Sequence, residues 1–243
     1  MGEVSNKTLR RRRTGLAVLF SLIILIVGLS PGFLQQKTTD LTDTKSVLSD
    51  VDTGGQKALD VLGAIEVKGR APKTGYSRSE YGAGWAVVGG CDIRNIMLAR
   101  NMESVEKAED GCIVLKGLLQ DPYTGKTIDF VRGKNTSDDV QIDHVVALSD
   151  SWQKGAQNLT NEQRLQFAND PLNLLPVDGS ANQQKSDSDS ASWLPPNKNF
   201  RCRYVARQIA VKSKYGLWVT EAEKSTMKRV LNGCGEQVLP VQN

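Results

Sequence analysis

The adjacent pair Asp143-His144 closes a short apolar stretch, Asn173 follows about thirty residues on, Asn182 comes nine residues after it, and Lys185 lies one helical turn further. A neutral imidazole with a pKa of about 6.5 can take a proton from water at physiological pH. One carboxylate and one amide oxygen suit a hard divalent cation that keeps several waters and open positions for phosphate oxygens. Adjacent residues on a strand point to opposite sides, so Asp143 and His144 can address metal and water separately. Together these residues have the makings of metal-assisted hydrolysis of a phosphodiester. His144 is the one histidine among 243 residues. A Ser-His-Asp triad or a Cys-His dyad would therefore have to use it, and zinc sites with two histidines are excluded.

Each residue also has a bland reading. A lone histidine is more often a surface or core residue than a catalyst, Asn173 alone is more often a turn residue, and Lys185 is as readily a solvated side chain. The order of the set, with an acid before the histidine at a strand end, carries the functional reading. Ser186 to Ser190 alternate with Asp187 and Asp189, but without the glycine and distal glutamate of an EF-hand they read as a polar loop. Trp152, Trp193 and Trp218 read as core.

The elements that must position these residues form a mixed α+β pattern. Asp92 is an N-cap for a helix through Ile93, Ile96, Met97 and Arg100. Cys112 to Leu119 and Thr127 to Val131 read as strands around the turn Asp121-Pro122-Tyr123-Thr124-Gly125. Gln141 to Leu148 and Leu172 to Val177 read as further strands, and Asn161 to Ala168 as a helix. Asp178-Gly179 opens a helix through Lys185, and Cys202 to Lys214 has helical spacing. Thr220 and Glu223 form a capping box for a last helix that Gly233 can end.

On these residues the chain resembles the HNH (ββα-metal) endonucleases, and among them the secreted GmrSD-type family. That family has a similar Cys-Asp-x-Arg-Asn start (Cys91 to Asn95), a similar Asp-Pro-Tyr-Thr-Gly turn and a similar Trp-Leu-Pro-Pro segment (Trp193 to Pro196). The likeness runs from about Tyr76 to Cys234. It implies a ββα-metal core with flanking helices and a β-hairpin, stapled by disulfides. It further implies that His144 is the general base, that Asp143 and Asn182 hold the metal, and that Asn173 holds the turn and the histidine in place. Lys185 and Arg94 become candidate phosphate contacts. The implied ion is Mg²⁺ with Mn²⁺ as substitute, and the implied substrate is DNA, cut with low sequence specificity, RNA being the alternative. No small-molecule cofactor is expected. The third motif letter here is Asn182 rather than histidine, and its amide oxygen also suits Mg²⁺. The rival reading is a surface-anchored nucleic-acid-binding or adhesion protein on an inactive nuclease scaffold.

The amino-terminal region reads as an address. Arg10 to Arg13 precede an apolar run, Leu16 to Leu34, whose rise as a helix, roughly 28 Å, is close to the thickness of a bilayer core. Residues 1–34 are thus expected to be a signal peptide or, if uncleaved, a membrane anchor, with the remainder outside the cytoplasm. Residues 35–75 read as a flexible linker with at most a weak helix at Ala58 to Ile65, residues 76–235 as the nuclease domain and 236–243 as a tail. The net charge of +4 lies in that leader and linker: residues 1–75 hold 11 Lys and Arg against 7 Asp and Glu, whereas residues 76–243 hold 20 of each. A local excess from Lys198 to Arg229 reads as a basic surface or a solvated helix face. Cys91, Cys112, Cys202 and Cys234 contain no Cys-x-x-Cys pair and point to two disulfides in an oxidising compartment. Chain order favours Cys91–Cys112 and Cys202–Cys234 among three open connectivities.

Overall fold

The computed structural model describes residues 55–240. The expected anchor at 16–34, residues 35–54 of the expected linker and the last three residues of the tail lie outside them. Among the described residues no helix is long and apolar enough to cross a membrane.

The architecture is α+β with three small sheets. Helix α1 (Ala58–Ala64) is followed by the two-stranded β1 (Val87–Val88) and β2 (Cys91–Asp92), helix α2 (Ile93–Asn101) and strands β3 (Glu103–Lys107), β4 (Val114–Gln120) and β5 (Thr127–Val131). These last three form one antiparallel sheet in the order β3-β4-β5. Strand β6 (Val140–His144) then leads through α3 (Leu148–Trp152) and α4 (Asn161–Asn169) to β7 (Leu174–Asp178) and α5 (Gly179–Lys185), and the described chain ends with α6 (Arg201–Lys214) and α7 (Glu221–Leu231). The expected disulfides form, Cys91 with Cys112 and Cys202 with Cys234, at Cα separations of 5.2 and 5.7 Å.

The ribbon β6–β7 is the central piece. Its register pairs Asp143 with Leu175 and His144 with Leu174. The two faces of the ribbon meet different cores. Val140, Ile142 and Leu174 join a cluster with Ile93, Met97, Leu98, Leu119 and Phe130. Leu175 and Val177 join a larger one with Phe167, Tyr204, Val205 and Ile209. Strand alternation therefore puts His144 on the Ile142 face and Asp143 on the opposite face with Gln141.

The caps fall where the sequence places them. Asp92 accepts from the Asn95 amide to start α2. Thr220 and Glu223 form the capping box of α7, and Thr160 with Gln163 forms another at α4. Helix α5 begins at Gly179 because of a close approach: a Cβ there would lie 2.0 Å from the carbonyl oxygen of Asp138, so a side chain would push the helix away from β6.

Three expectations change. The strand expected over Gln141 to Leu148 stops at His144, because the carbonyl and side chain of Asn173 take the amides of Val145 and Val146 at 2.8 Å each, and Leu148 then opens α3. Residues 55–75 are not a free linker: Ala58, Leu62 and Ile65 are buried in the larger core, and Lys57 and Val67 bridge to Val238 and Val219. Likewise Leu239 of the expected tail is 1% exposed. Three apolar side chains at helical spacing suffice to dock an otherwise polar segment.

The basic stretch from Lys198 to Arg229 is divided: Lys198, Arg203, Lys228 and Arg229 are exposed, whereas others hold the fold together. Arg207 donates to the carbonyls of Pro171, Leu172 and Leu174, and Lys224 to those of Gly63 and Ile65. Lys212 is buried with Lys154 among Asp150, Asp189 and Glu223, and Arg70 closes this cluster from outside. Burial alone would lower the Lys154 pKa, but Asp150 and Glu223 raise it above the usual value. The cluster ties α3, α6, α7 and the loop after α5 to the segment before residue 75. Lys154→Met leaves three carboxylates facing two cations, so chemical denaturation should show a loss of about 3–5 kcal/mol. Lys57→Met removes only an exposed pair with Glu236 and should cost about 0–1 kcal/mol. Equal small losses would show that the buried cluster adds nothing beyond a surface pair.

Candidate active site

Asp143, His144, Asn182 and Arg94 line one cavity of about 570 Å³, together with Lys73, Arg78, Trp85, Asp138, Gln141 and Asp187 among others. The first four come from three separate elements: the end of β6, the middle of α5 and the start of α2. Asn173 and Lys185 do not line it, and both act from behind.

His144 is 7% exposed, and its Nε2 lies 2.9 Å from the carbonyl oxygen of Ala168. A carbonyl only accepts, so Nε2 carries the proton and Nδ1 is left as an unprotonated acceptor without a protein partner among the described residues. Trp85 stacks on the ring, with centroids 5.8 Å apart and planes within 11°. Burial pushes the His144 pKa down to about 3, the hydrogen bond to Ala168 opposes that, and the charges of Arg78 and Lys185 add to it. The imidazole is thus neutral, oriented and in the tautomer that a base needs.

Asp143 is 5% exposed. Its Oδ1 accepts from the Lys185 ammonium at 2.8 Å, and its Oδ2 accepts a short hydrogen bond from the Tyr123 hydroxyl. Burial raises the Asp143 pKa, while Lys185 and Tyr123 pull it back. Lys185 is 0% exposed and also donates to the His144 carbonyl at 2.9 Å. The lysine expected on a substrate phosphate is therefore an internal partner of the acid, one turn below Asn182 on α5. Tyr123 reaches Asp143 because Asp121 holds its turn, accepting from the amides of Tyr123, Thr124 and Asp178.

Asn182 donates its Nδ2 to Gln141 Oε1 at 2.8 Å, which leaves its amide oxygen for another partner. Asn173 is fully buried and clamps the chain after His144 through Val145 and Val146. Arg94 is half-buried, donates to the carbonyls of Ser137 and Val140, and has its other terminal nitrogen buried without a partner. Burial lowers its pKa, as does the charge of Arg132.

Asp143 and Asn182 line the same cavity. A carboxylate and an amide oxygen are donors of the kind a hard cation takes, and each Asp143 oxygen keeps a lone pair beyond the one it already uses. No group of three or more His, Cys, Asp or Glu that could hold a metal exists among the described residues, so water and substrate oxygens would have to complete the shell.

A family model described as GmrSD restriction endonucleases, C-terminal domain, matches residues 93–230, more than half of the chain. The chain belongs to this family. A relative from Arthroderma benhamiae, named "Uncharacterized secreted protein", is 37% identical over 179 residues, which cover 73% of this chain and 84% of that protein. The match to the GmrSD endonuclease domain takes in Arg94, Asp143, His144, Asn173, Asn182 and Lys185. It begins after Lys73, Arg78 and Trp85, which also line the cavity.

Sequence reading missed Tyr123, Gln141, Trp85 and Arg78. Tyr123 sits inside the Asp121 to Gly125 turn, whose Pro and Gly signal a backbone turn and say nothing of where the hydroxyl goes. Gln141 could have been found from alternation, since it shares the Asp143 face of β6. Nothing in spacing points to Trp85 or Arg78, which lie about sixty residues before His144.

Because the chain has one histidine, its titration is clean to measure. The folded pKa lies below the unfolded value of about 6.5, so the unfolded chain binds the proton first. Stability should be intact above that value and decline as pH falls from about 6.5 toward 3. The ring C–H resonance should show no titration between about pH 5 and 8 in the folded protein and an ordinary midpoint in denaturant. A folded-state midpoint near 6.5 would mean that the ring is solvated rather than buried.

Proposed function

We propose that this protein is an extracytoplasmic, metal-dependent endonuclease of the HNH type that hydrolyses DNA phosphodiester bonds with low sequence specificity, β6, β7 and α5 being its ββα core. Membership of the GmrSD endonuclease family supports a nuclease-related role. The observation that carries the mechanism is the neutral, ring-stacked His144, with Nδ1 unprotonated, lining the same cavity as Asp143 and Asn182. The secreted Arthroderma benhamiae relative and the two disulfides support a place outside the cytoplasm.

In this reading His144 Nδ1 takes a proton from the attacking water while the Nε2 hydrogen bond to Ala168 and the Trp85 stack hold the ring plane. Positive charge that develops on the imidazole would be offset by the phosphate, and the Ala168 carbonyl keeps its hydrogen bond to Nε2. Asp143 and Asn182 would hold Mg²⁺, with Mn²⁺ as substitute, and the ion would supply charge neutralisation at the phosphate and the leaving oxygen. Asn182 is aimed by Gln141, and Asp143 by Lys185 and Tyr123. Arg94, which lines the cavity and has one buried terminal nitrogen without a protein partner among the described residues, is the candidate contact for a phosphate oxygen. Asn173 acts by fixing the backbone after His144. Binding without turnover is favoured by a single feature, the Lys185 ammonium already on Asp143.

Nicking of supercoiled plasmid by the oxidised full chain separates the two. The nuclease should cut with Mg²⁺ or Mn²⁺ and stop with EDTA, and His144→Ala should lose on the order of 10²- to 10⁴-fold in rate. Asn182→Ala should raise the Mg²⁺ concentration needed for half-maximal rate. Undiminished nicking by a His144→Ala protein free of contaminating nuclease would refute the proposal.

A further inference from the structure

A second cavity, of about 390 Å³, lies against His144 and is lined by Arg78, Ser79, Tyr81, Gly82, Ala83 and Gly84 among others. Arg78, Trp85, His144 and Leu148 line both cavities, so the imidazole and the guanidinium stand together at the divide. The two cavities differ in charge. Asp138, Asp143 and Asp187 line the first, whereas no acidic residue lines the second.

The cations around the first cavity are mostly committed. Lys185 is on Asp143, Arg94 on two carbonyls, and Lys73 lies 3.3 Å from Asp187. Arg78 is exposed and makes neither a hydrogen bond nor an ion pair with any described residue. Its charge is nonetheless close enough to bear on the His144 imidazole. Its backbone is held rather than loose. Arg78 opens the short 3₁₀ turn Arg78–Tyr81, and the Tyr81 hydroxyl donates to the Leu148 carbonyl at 3.0 Å. Arg164 grips the Glu80 carbonyl at 3.1 Å. Gly82 closes the turn at φ 104°, where a Cβ would meet Leu165 at 2.7 Å. A planar five-donor group on a fixed turn, with no acid of its own, is suited to a phosphate diester.

We propose that Arg78 binds the backbone phosphate adjoining the one that is cleaved, so that a nucleic-acid strand is held across both cavities with His144 between them. This rests on the nuclease reading above and names the substrate contact that the sequence assigned to Lys185. The first cavity, with Asp143 and Asn182, is the place for the scissile phosphate. The acid-free second cavity takes the next nucleotide, and Arg78 neutralises the phosphate that joins the two.

The test is binding without turnover. Fluorescence anisotropy of a labelled single-stranded DNA oligonucleotide is measured in EDTA over a salt series, with the oxidised full chain as wild type, Arg78→Ala, Arg78→Lys and Lys228→Ala. Arg78→Ala should weaken binding about tenfold and reduce the slope of log K against log salt by about 0.7. Arg78→Lys should keep the slope and recover part of the affinity. Lys228, exposed on α7, serves as a remote cation, and its loss should change affinity less than twofold. Unchanged affinity and slope for Arg78→Ala would overturn the proposal, as would an equal loss for Lys228→Ala, which would indicate charge alone. An unchanged far-UV circular dichroism spectrum and thermal midpoint of Arg78→Ala report that the variant is folded. If binding depends on Arg78 while the wild type never cuts with Mg²⁺, the phosphate contact stands and the nuclease reading falls.

Discussion

One buried carboxylate governs the arrangement of this molecule. Asp143 sits on a two-stranded ribbon packed on both faces, where an unpaired charge would be severely penalised. The fold answers with two dedicated partners, the Lys185 ammonium from α5 and the Tyr123 hydroxyl from the β4–β5 turn. Each partner fixes more than the charge. Lys185 can reach Asp143 only if α5 lies against β6, and that placement puts Asn182, one turn earlier, on the wall of the same cavity. The glycine at position 179 permits the approach, and the Asp121 carboxylate ties the Tyr123 turn to the end of β7. Satisfying one desolvated group thus brings together elements that are distant in sequence.

The same packing decides the state of the neighbouring histidine. Burial under Trp85 and the Ala168 carbonyl selects one tautomer and removes the proton that solution would otherwise offer. A base held so far below its ordinary pKa is always available but intrinsically weak. Such a base gains from a water that is itself acidified, which is the contribution a cation on Asp143 and Asn182 would make.

Much of the frame was legible in the chain. Asp92, Thr220 with Glu223, and the Asp121 to Gly125 turn are local signals in which side chain and backbone interact within a few residues, and each element starts or turns where those signals lie. The α+β class and the favoured cysteine pairing also agree with the structure. What was illegible is non-local. Lys185 reads as a surface lysine because its acid is 42 positions away. Lys212 of α6 reads as a surface lysine because its acids, Asp150 and Glu223, come from α3 and α7. The segment before residue 75 reads as a linker because its docking rests on three small or aliphatic side chains rather than on a strong period. Of the expected site, Asp143, His144, Asn182 and Arg94 converge on one cavity, and Asn173 and Lys185 stand behind it.

The central claim is that Asp143 and Asn182 together receive a divalent ion in the cavity that His144 lines. Its most direct test is a crystal structure of the His144→Ala chain with Mn²⁺ and a DNA oligonucleotide, with the ion located from its anomalous signal. The account requires the ion to contact a carboxylate oxygen of Asp143, the amide oxygen of Asn182 and a phosphate oxygen, with Lys185 still on the same carboxylate. An ion found elsewhere, or a bound strand with Asp143 held by Lys185 and Tyr123 alone, would contradict it.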